Sequence, residues 1–144
     1  MAKAALILTC ATPIPSDAET VFPPLKQGLW EYQRSFKGGP EGIAVQSSYR
    51  RCANPSKDFE RQSSVLAKAG CTFRFAKADQ ETVDRTATCK VSDGSTLVTR
   101  TWLRAGGNSQ FSARIESGEM LGNAPSTTVE ELKAKRIGDC RMDS

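Results

Sequence analysis

Histidine is missing from all 144 residues. Its absence removes the commonest general acid–base at neutral pH, the usual activator of a serine or cysteine nucleophile, and a favoured zinc ligand. Long apolar runs are missing too. The N-terminal run around Leu6-Ile7-Leu8 falls far short of the roughly 20 residues that span a bilayer, and no other segment approaches that length. No basic stripe exists. The formal charge is only +4, and cations interleave with acids, as in Lys57-Asp58 and Glu60-Arg61. Nucleic-acid binding calls for a clustered basic face with aromatic platforms, so that partner is excluded. Cys-x-x-Cys pairs are absent as well.

What the chain does have is cysteine at positions 52, 71, 89 and 140 of one small domain. An even set spread across such a domain reads as a disulfide framework, which persists in an oxidising compartment. A four-thiolate zinc site is the rival. It normally brings its ligands as two close pairs, whereas neighbours in this set are at least 18 residues apart. The segments Cys71–Phe75 and Val83–Cys89 flank a polar turn at Asp79-Gln80-Glu81. A hairpin centred on Gln80 sets Cys71 opposite Cys89, Phe73 opposite Ala87 and Phe75 opposite Arg85, all on one face. Directly opposed strand positions can accept a disulfide. By elimination Cys52 pairs with Cys140.

The fifth cysteine, Cys10, lies in an N-terminal stretch ordered like a signal peptide: Lys3, then an apolar run, with cleavage after Ala11 or Ala18. The stretch is short for a leader. A lipid anchor at Cys10 is disfavoured, because Thr9 stands where a lipobox has Gly, Ala or Ser. The chain therefore divides into a leader over 1–18, an N-terminal arm over 19–27, one domain over 28–140 and a tail over 141–144.

Within the domain, glycine-rich punctuation separates pieces of strand length. Trp30, Tyr32 and Phe36 alternate with polar residues. So do Ile43, Val45 and Tyr49, and then Phe111, Ala113 and Ile115, the pattern of half-buried antiparallel strands. One piece differs. Asn54-Pro55 is a helix start, Phe59, Gln62, Leu66 and Ala69 follow at helical spacing, and Gly70 is a stop, which predicts a helix over 55–69. The expected fold is mainly β (α+β): an antiparallel curved sheet or partial barrel of six or seven strands, with one amphipathic helix between the second and third.

Few residues offer chemistry. The carboxylates, from Asp58 to Asp139, fall in turns or on polar strand faces, where solvated charge is the ordinary role. Ser63 and Ser64 precede Lys68, but in mid-helix, and no Ser-x-x-Lys opens a helix. Arg85, Arg100 and Arg136 lie in strands, where an arginine more often faces water or covers a ring than binds an anion in a concave sheet. Gly106-Gly107 lacks a following helix, so it is a turn and not a phosphate cradle. Trp30 and Trp102 are packing residues, with the lining of an apolar cavity as the functional alternative.

The run Leu25-Lys26-Gln27-Gly28-Leu29-Trp30-Glu31-Tyr32, the cysteines at 52, 71 and 89, the stretch from Gly94-Ser95-Thr96 to Ser109-Gln110-Phe111, and the closing Lys135-Arg136-Ile137-Gly138-Asp139-Cys140 together resemble a known family. It is the group of small exported proteobacterial proteins called domain of unknown function 3617, and the resemblance covers residues 25–140. Gln27 departs from the proline common there. The resemblance implies a periplasmic location and a disulfide-stapled β domain, and it supplies no activity. The expectation is a non-enzymatic protein without a cofactor or metal. It would hold a small apolar or amphipathic ligand among Trp30, Tyr32, Phe73, Phe75 and Phe111. The alternative is a cell-envelope interaction module or inhibitor that uses loops 37–42 or 121–127.

Overall fold

The structure, a computed structural model, describes residues 22–38, 42–92, 94–121 and 124–141. The leader and Cys10 lie outside the described residues, as do 39–41 and 122–123 of the two candidate interaction loops. Seven antiparallel strands form one open sheet: β1 (Gly28–Gly38), β2 (Ile43–Ala53), β3 (Thr72–Ala78), β4 (Thr82–Lys90), β5 (Thr96–Ala105), β6 (Gln110–Leu121) and β7 (Ala124–Gly138). Their spatial order is β2-β1-β7-β6-β5-β4-β3, so the sheet does not close into a barrel.

The β3–β4 hairpin has Phe73 opposite Ala87 and Phe75 opposite Arg85. Its register shifts by one residue between Phe75 and Lys77, which ends the hairpin on the pairing of Ala78 with Val83. In that turn the Asp79 carboxylate accepts the backbone N–H groups of Glu81 and Thr82, each at 2.8 Å. Just beyond the paired residues, Cys71 is bonded to Cys89, with Cα atoms 4.2 Å apart. Cys52 is bonded to Cys140, with Cα atoms 5.6 Å apart. Leu29 pairs with Cys52 on one side and Gly138 on the other, so this second bridge joins β2 to the chain leaving β7 around the first residues of β1.

The only helix among the described residues, α1 (Pro55–Lys68), starts where the sequence says it should. The Asn54 side chain accepts from the Lys57 N–H, Pro55 occupies the first turn, and Gly70 takes a φ of +91° beyond the last turn. The helix leaves β2 at one edge of the sheet and delivers the chain to β3 at the other. Its contacts follow that path: Asp58 meets Arg51 of β2, Phe59 meets Phe111 of β6, Ser63 meets Arg85 of β4, and the Leu66 carbonyl accepts from Cys71 N–H beside β3. Fourteen helical residues measure about 21 Å, against about 29 Å for six inter-strand gaps. A helix about 10–12 Å thick nevertheless covers only about three residues along each strand. One end of the face is therefore packed and the other is left open.

Trp30, Tyr32, Val83, Leu103, Ala105, Phe111, Ala113 and Ala134 form the core beneath the helix. Residues 22–27, read from the sequence as linker or irregular arm, are irregular but not loose. Phe22, Pro23 and Leu25 are buried, the Lys26 N–H donates to Asn108, and Ser56 of the helix accepts the Leu25 N–H at 2.8 Å.

Two sequence expectations are corrected. Strand β2 is not half-buried: Ile43 and Val45 are 63% and 58% exposed, because the strand is an edge extending past the helix. The inner helix face is Ser56, Phe59, Ser63 and Leu66. Gln62 and Ala69, expected inward, are exposed.

Candidate functional site

A continuous line of aromatic rings runs under the helix from one sheet edge toward the other. Tyr49 of β2 stacks on Tyr32 of β1 with centroids 5.0 Å apart, and Tyr32 meets Phe111 of β6 edge-on at 6.3 Å. Phe111 meets Phe59 of the helix at 5.6 Å, and Phe59 stacks on Phe22 of the arm at 5.4 Å. The line ends at a cation. The Arg85 guanidinium lies 5.7 Å from the Phe22 centroid and 5.1 Å from that of Phe73. Strand register explains the alignment. Tyr49, Tyr32 and Phe111 share one cross-strand row through Ala134, and Arg85 sits on the same face of β4.

At the Tyr49 end the helix stands off the sheet and leaves a groove of about 320 Å³. Tyr32, Tyr49, Phe59, Phe111 and Leu132 supply its apolar walls, while Arg51, Asp58, Arg61 and Gln62 form a polar rim. Asp58 pairs with both Arg51 and Arg61, at 3.3 and 3.5 Å, so one carboxylate is shared between two guanidinium groups and the rim stays positive. Burial pushes the Tyr32 phenol above its usual pKa, and the nearby Arg51 guanidinium works against that rise. The phenol therefore stays neutral at the groove floor. Next along the open face, Arg34 forks onto Glu130 through bonds of 2.7 and 3.2 Å.

The five residues expected to line a pocket do not come together. Tyr32 and Phe111 line the groove. Trp30 is 0% exposed behind Phe111, with its indole N–H donating to the Lys26 carbonyl at 3.0 Å. Phe73 lies against Arg85, and Phe75 is 38% exposed at the β3 edge. Sequence reasoning missed Tyr49, Phe59 and Leu132 as groove walls. The periodicity of Tyr49 and Phe59 was visible, but which residues meet depends on the helix crossing the sheet.

The helix-free face is of a different kind. A broader basin of about 440 Å³ there is lined by Glu31, Gln33, Arg104, Ser112, Lys133 and Lys135 among others. It is larger, and it mixes these charged and polar groups with apolar surface from Ala105, Phe111 and Ala134. Trp102 lies on this face beneath Arg100, whose guanidinium is 4.1 Å from a ring centroid and forks onto Asp84 at 3.2 and 3.0 Å. Arg136 donates to the Gln27 carbonyl and pairs with Asp139. Asp79, held below the usual carboxylate range by two backbone N–H donors, acts as a turn clamp. Among the described residues no three His, Cys, Asp or Glu side chains converge as metal ligands, and no helix is long and apolar enough to cross a membrane.

A family model described as "Protein of unknown function (DUF3617)" matches residues 25–140. No curated protein and no solved structure matches the chain.

Proposed function

The chain belongs to the DUF3617 family of proteins of unknown function, and we propose that this member is an exported, non-enzymatic protein of the periplasm that holds an apolar or amphipathic ligand against its sheet. The groove between α1 and strands β1, β2, β6 and β7 carries this reading. Its volume of about 320 Å³ falls at the lower end of the range of small-ligand pockets, and its lining sets aromatic and aliphatic side chains beside a polar rim, a mixture that suits an amphipathic ligand. The two disulfides support export, since such bonds persist in oxidising compartments. The groove also opens onto the uncovered end of the same face, where Phe36, Ile115 and Val45 extend the apolar surface.

Titration with N-phenylnaphthylamine, a neutral apolar dye that brightens in apolar surroundings, tests the reading. Saturable one-to-one binding is expected, weakened by Tyr49→Ala and by Leu132→Ala while circular dichroism stays unchanged. Absence of saturable binding, or binding indifferent to both variants, would refute it.

One observation favours a second reading, a protein-interaction module. Strand β2 exposes Ile43 and Val45 at an edge able to pair with another strand. Ile43→Lys would abolish partner capture under that reading and leave dye binding intact.

A further inference from the structure

Arg85 is the most deeply buried arginine among the described residues, with 4% of its surface exposed. Among the described residues seven other arginines carry a counter-charge: Arg34, Arg50, Arg51, Arg61, Arg100, Arg114 and Arg136 each pair with an Asp or Glu. Arg85, where desolvation is most severe, has none among the described residues. Its contacts are two ring faces and one hydroxyl. Nη1 donates to Ser63 Oγ, and that hydroxyl in turn donates to the Phe59 carbonyl at 2.9 Å. Nε is buried with no hydrogen-bond partner. Across the β4–β5 pair stands Thr101, itself buried.

This arrangement is poor as packing alone. A buried guanidinium without a counter-charge is expensive, and an orphaned N–H adds to the penalty, whereas a leucine on the same strand would bury freely. Cation–π contacts with Phe22 and Phe73 offset part of that cost and leave the Nε edge without an acceptor. The free edge has a specific shape. Nε and a neighbouring Nη present two parallel N–H groups, the fork that matches two oxygens of a carboxylate or phosphate. Burial also drives the Arg85 pKa down, a strain that an incoming anion would relieve.

We propose that Arg85, with Ser63 and Thr101 beside it, is the recognition point for the oxyanion head group, carboxylate or phosphate, of a single-chain amphiphile whose apolar tail occupies the groove. This deepens the reading above and rests on it. Reach is adequate. Phe111 of β6, which lines the groove, and Arg85 of β4 lie two strands apart and four residues apart along the sheet, about 16 Å, a span that a twelve-carbon tail with its head group covers, and Phe59 and Phe22 are the rings between them. The head group gains the fork by displacing one covering ring. The ring displaced is Phe22, which is held by side-chain packing of the irregular arm and not by strand pairing, whereas Phe73 is fixed in β3.

The test is displacement of the bound dye by three probes of equal tail length: dodecanoate, dodecyl phosphate and dodecanol, with inorganic phosphate alone as a fourth. The two charged probes should bind roughly 10- to 100-fold more tightly than dodecanol, the range expected of a buried charge-assisted fork. Arg85→Leu should remove that advantage and leave dodecanol affinity unchanged, while Arg85→Lys should keep part of it. The Arg85 Nε–H resonance of the unsubstituted protein should move on adding dodecanoate and not on adding dodecanol, a readout that needs no variant. Equal affinity for all three amphiphiles, or a stationary Nε–H signal, overturns the role of Arg85 and leaves the groove standing. Inorganic phosphate moving the signal as effectively as dodecyl phosphate makes this a free-anion site and overturns the amphiphile. Binding of neither dye nor amphiphile overturns groove and head-group site together.

Discussion

Replacing both Cys52 and Cys140 by alanine should destabilise the domain by about 4–5 kcal/mol. The bridge closes a loop of 88 residues, for which the chain-entropy relation gives about 4.6 kcal/mol at 25 °C. This pair isolates the loop contribution well, because Cys52 is exposed and Cys140 only half-buried, so their truncation removes little core contact. The other bridge closes 18 residues, worth about 3.2 kcal/mol, and its Cys71 is buried, which mixes in a packing loss. For a domain of this size a loss of 4–5 kcal/mol lowers Tm by roughly 15–20 °C. Urea unfolding at matched pH would measure the change, and the m-value should rise as the unlinked denatured chain expands. A loss below about 1 kcal/mol with an unchanged m-value would refute the reasoning. It would mean that the denatured ensemble already keeps the two ends together.

Three further outcomes follow from local geometry. Gly28→Ala should destabilise by about 1–3 kcal/mol in urea melts, because an added Cβ would press on Arg136 Nε and the Gly138 carbonyl oxygen; a neutral effect would show that β7 yields there. Trp30→Ala should cost about 3–5 kcal/mol, since the indole is fully buried against Phe111, and Trp30→Phe should recover most of that while losing the bond to the Lys26 carbonyl. The Asp79 carboxyl should titrate below an ordinary aspartate. Its folded pKa is depressed, so its contribution to the β3–β4 turn is present above the unfolded value near 4 and disappears as pH falls through the folded value. A carbon-detected NMR titration placing its midpoint at or above that of an ordinary aspartate would contradict the clamp.

Much of the fold was legible because strand periodicity and turn chemistry are local. The spacing around Gln80 gave the register that puts Phe73 opposite Ala87, and Asn54-Pro55 with Gly70 bracketed the helix within a residue at its far end. The site was less legible, for a physical reason. Alternation shows which residues share a face and says nothing of whether anything covers it. Ile43 and Val45 share the face of Tyr49 yet lie beyond the width of the helix, so they meet solvent. Phe75 shares the face of Phe73 and is lost to the edge in the same way. Phe22 ran the other way: a proline-rich stretch reads as linker, but one aromatic side chain finding Phe59 and Arg85 docks it. Arg85 itself was visible only as an arginine in a strand. Its missing counter-charge is a property of the packed interior.

The central claim is that the helix-bearing face holds a small amphiphile. Native mass spectrometry of the protein gently purified from periplasmic extract tests it most directly. The account predicts a non-covalent adduct of one acidic, lipid-like molecule on the doubly disulfide-bonded chain, released on collisional activation and absent from Arg85→Leu. Protein found solely at its ligand-free mass, in a preparation that also fails to bind N-phenylnaphthylamine, would contradict it.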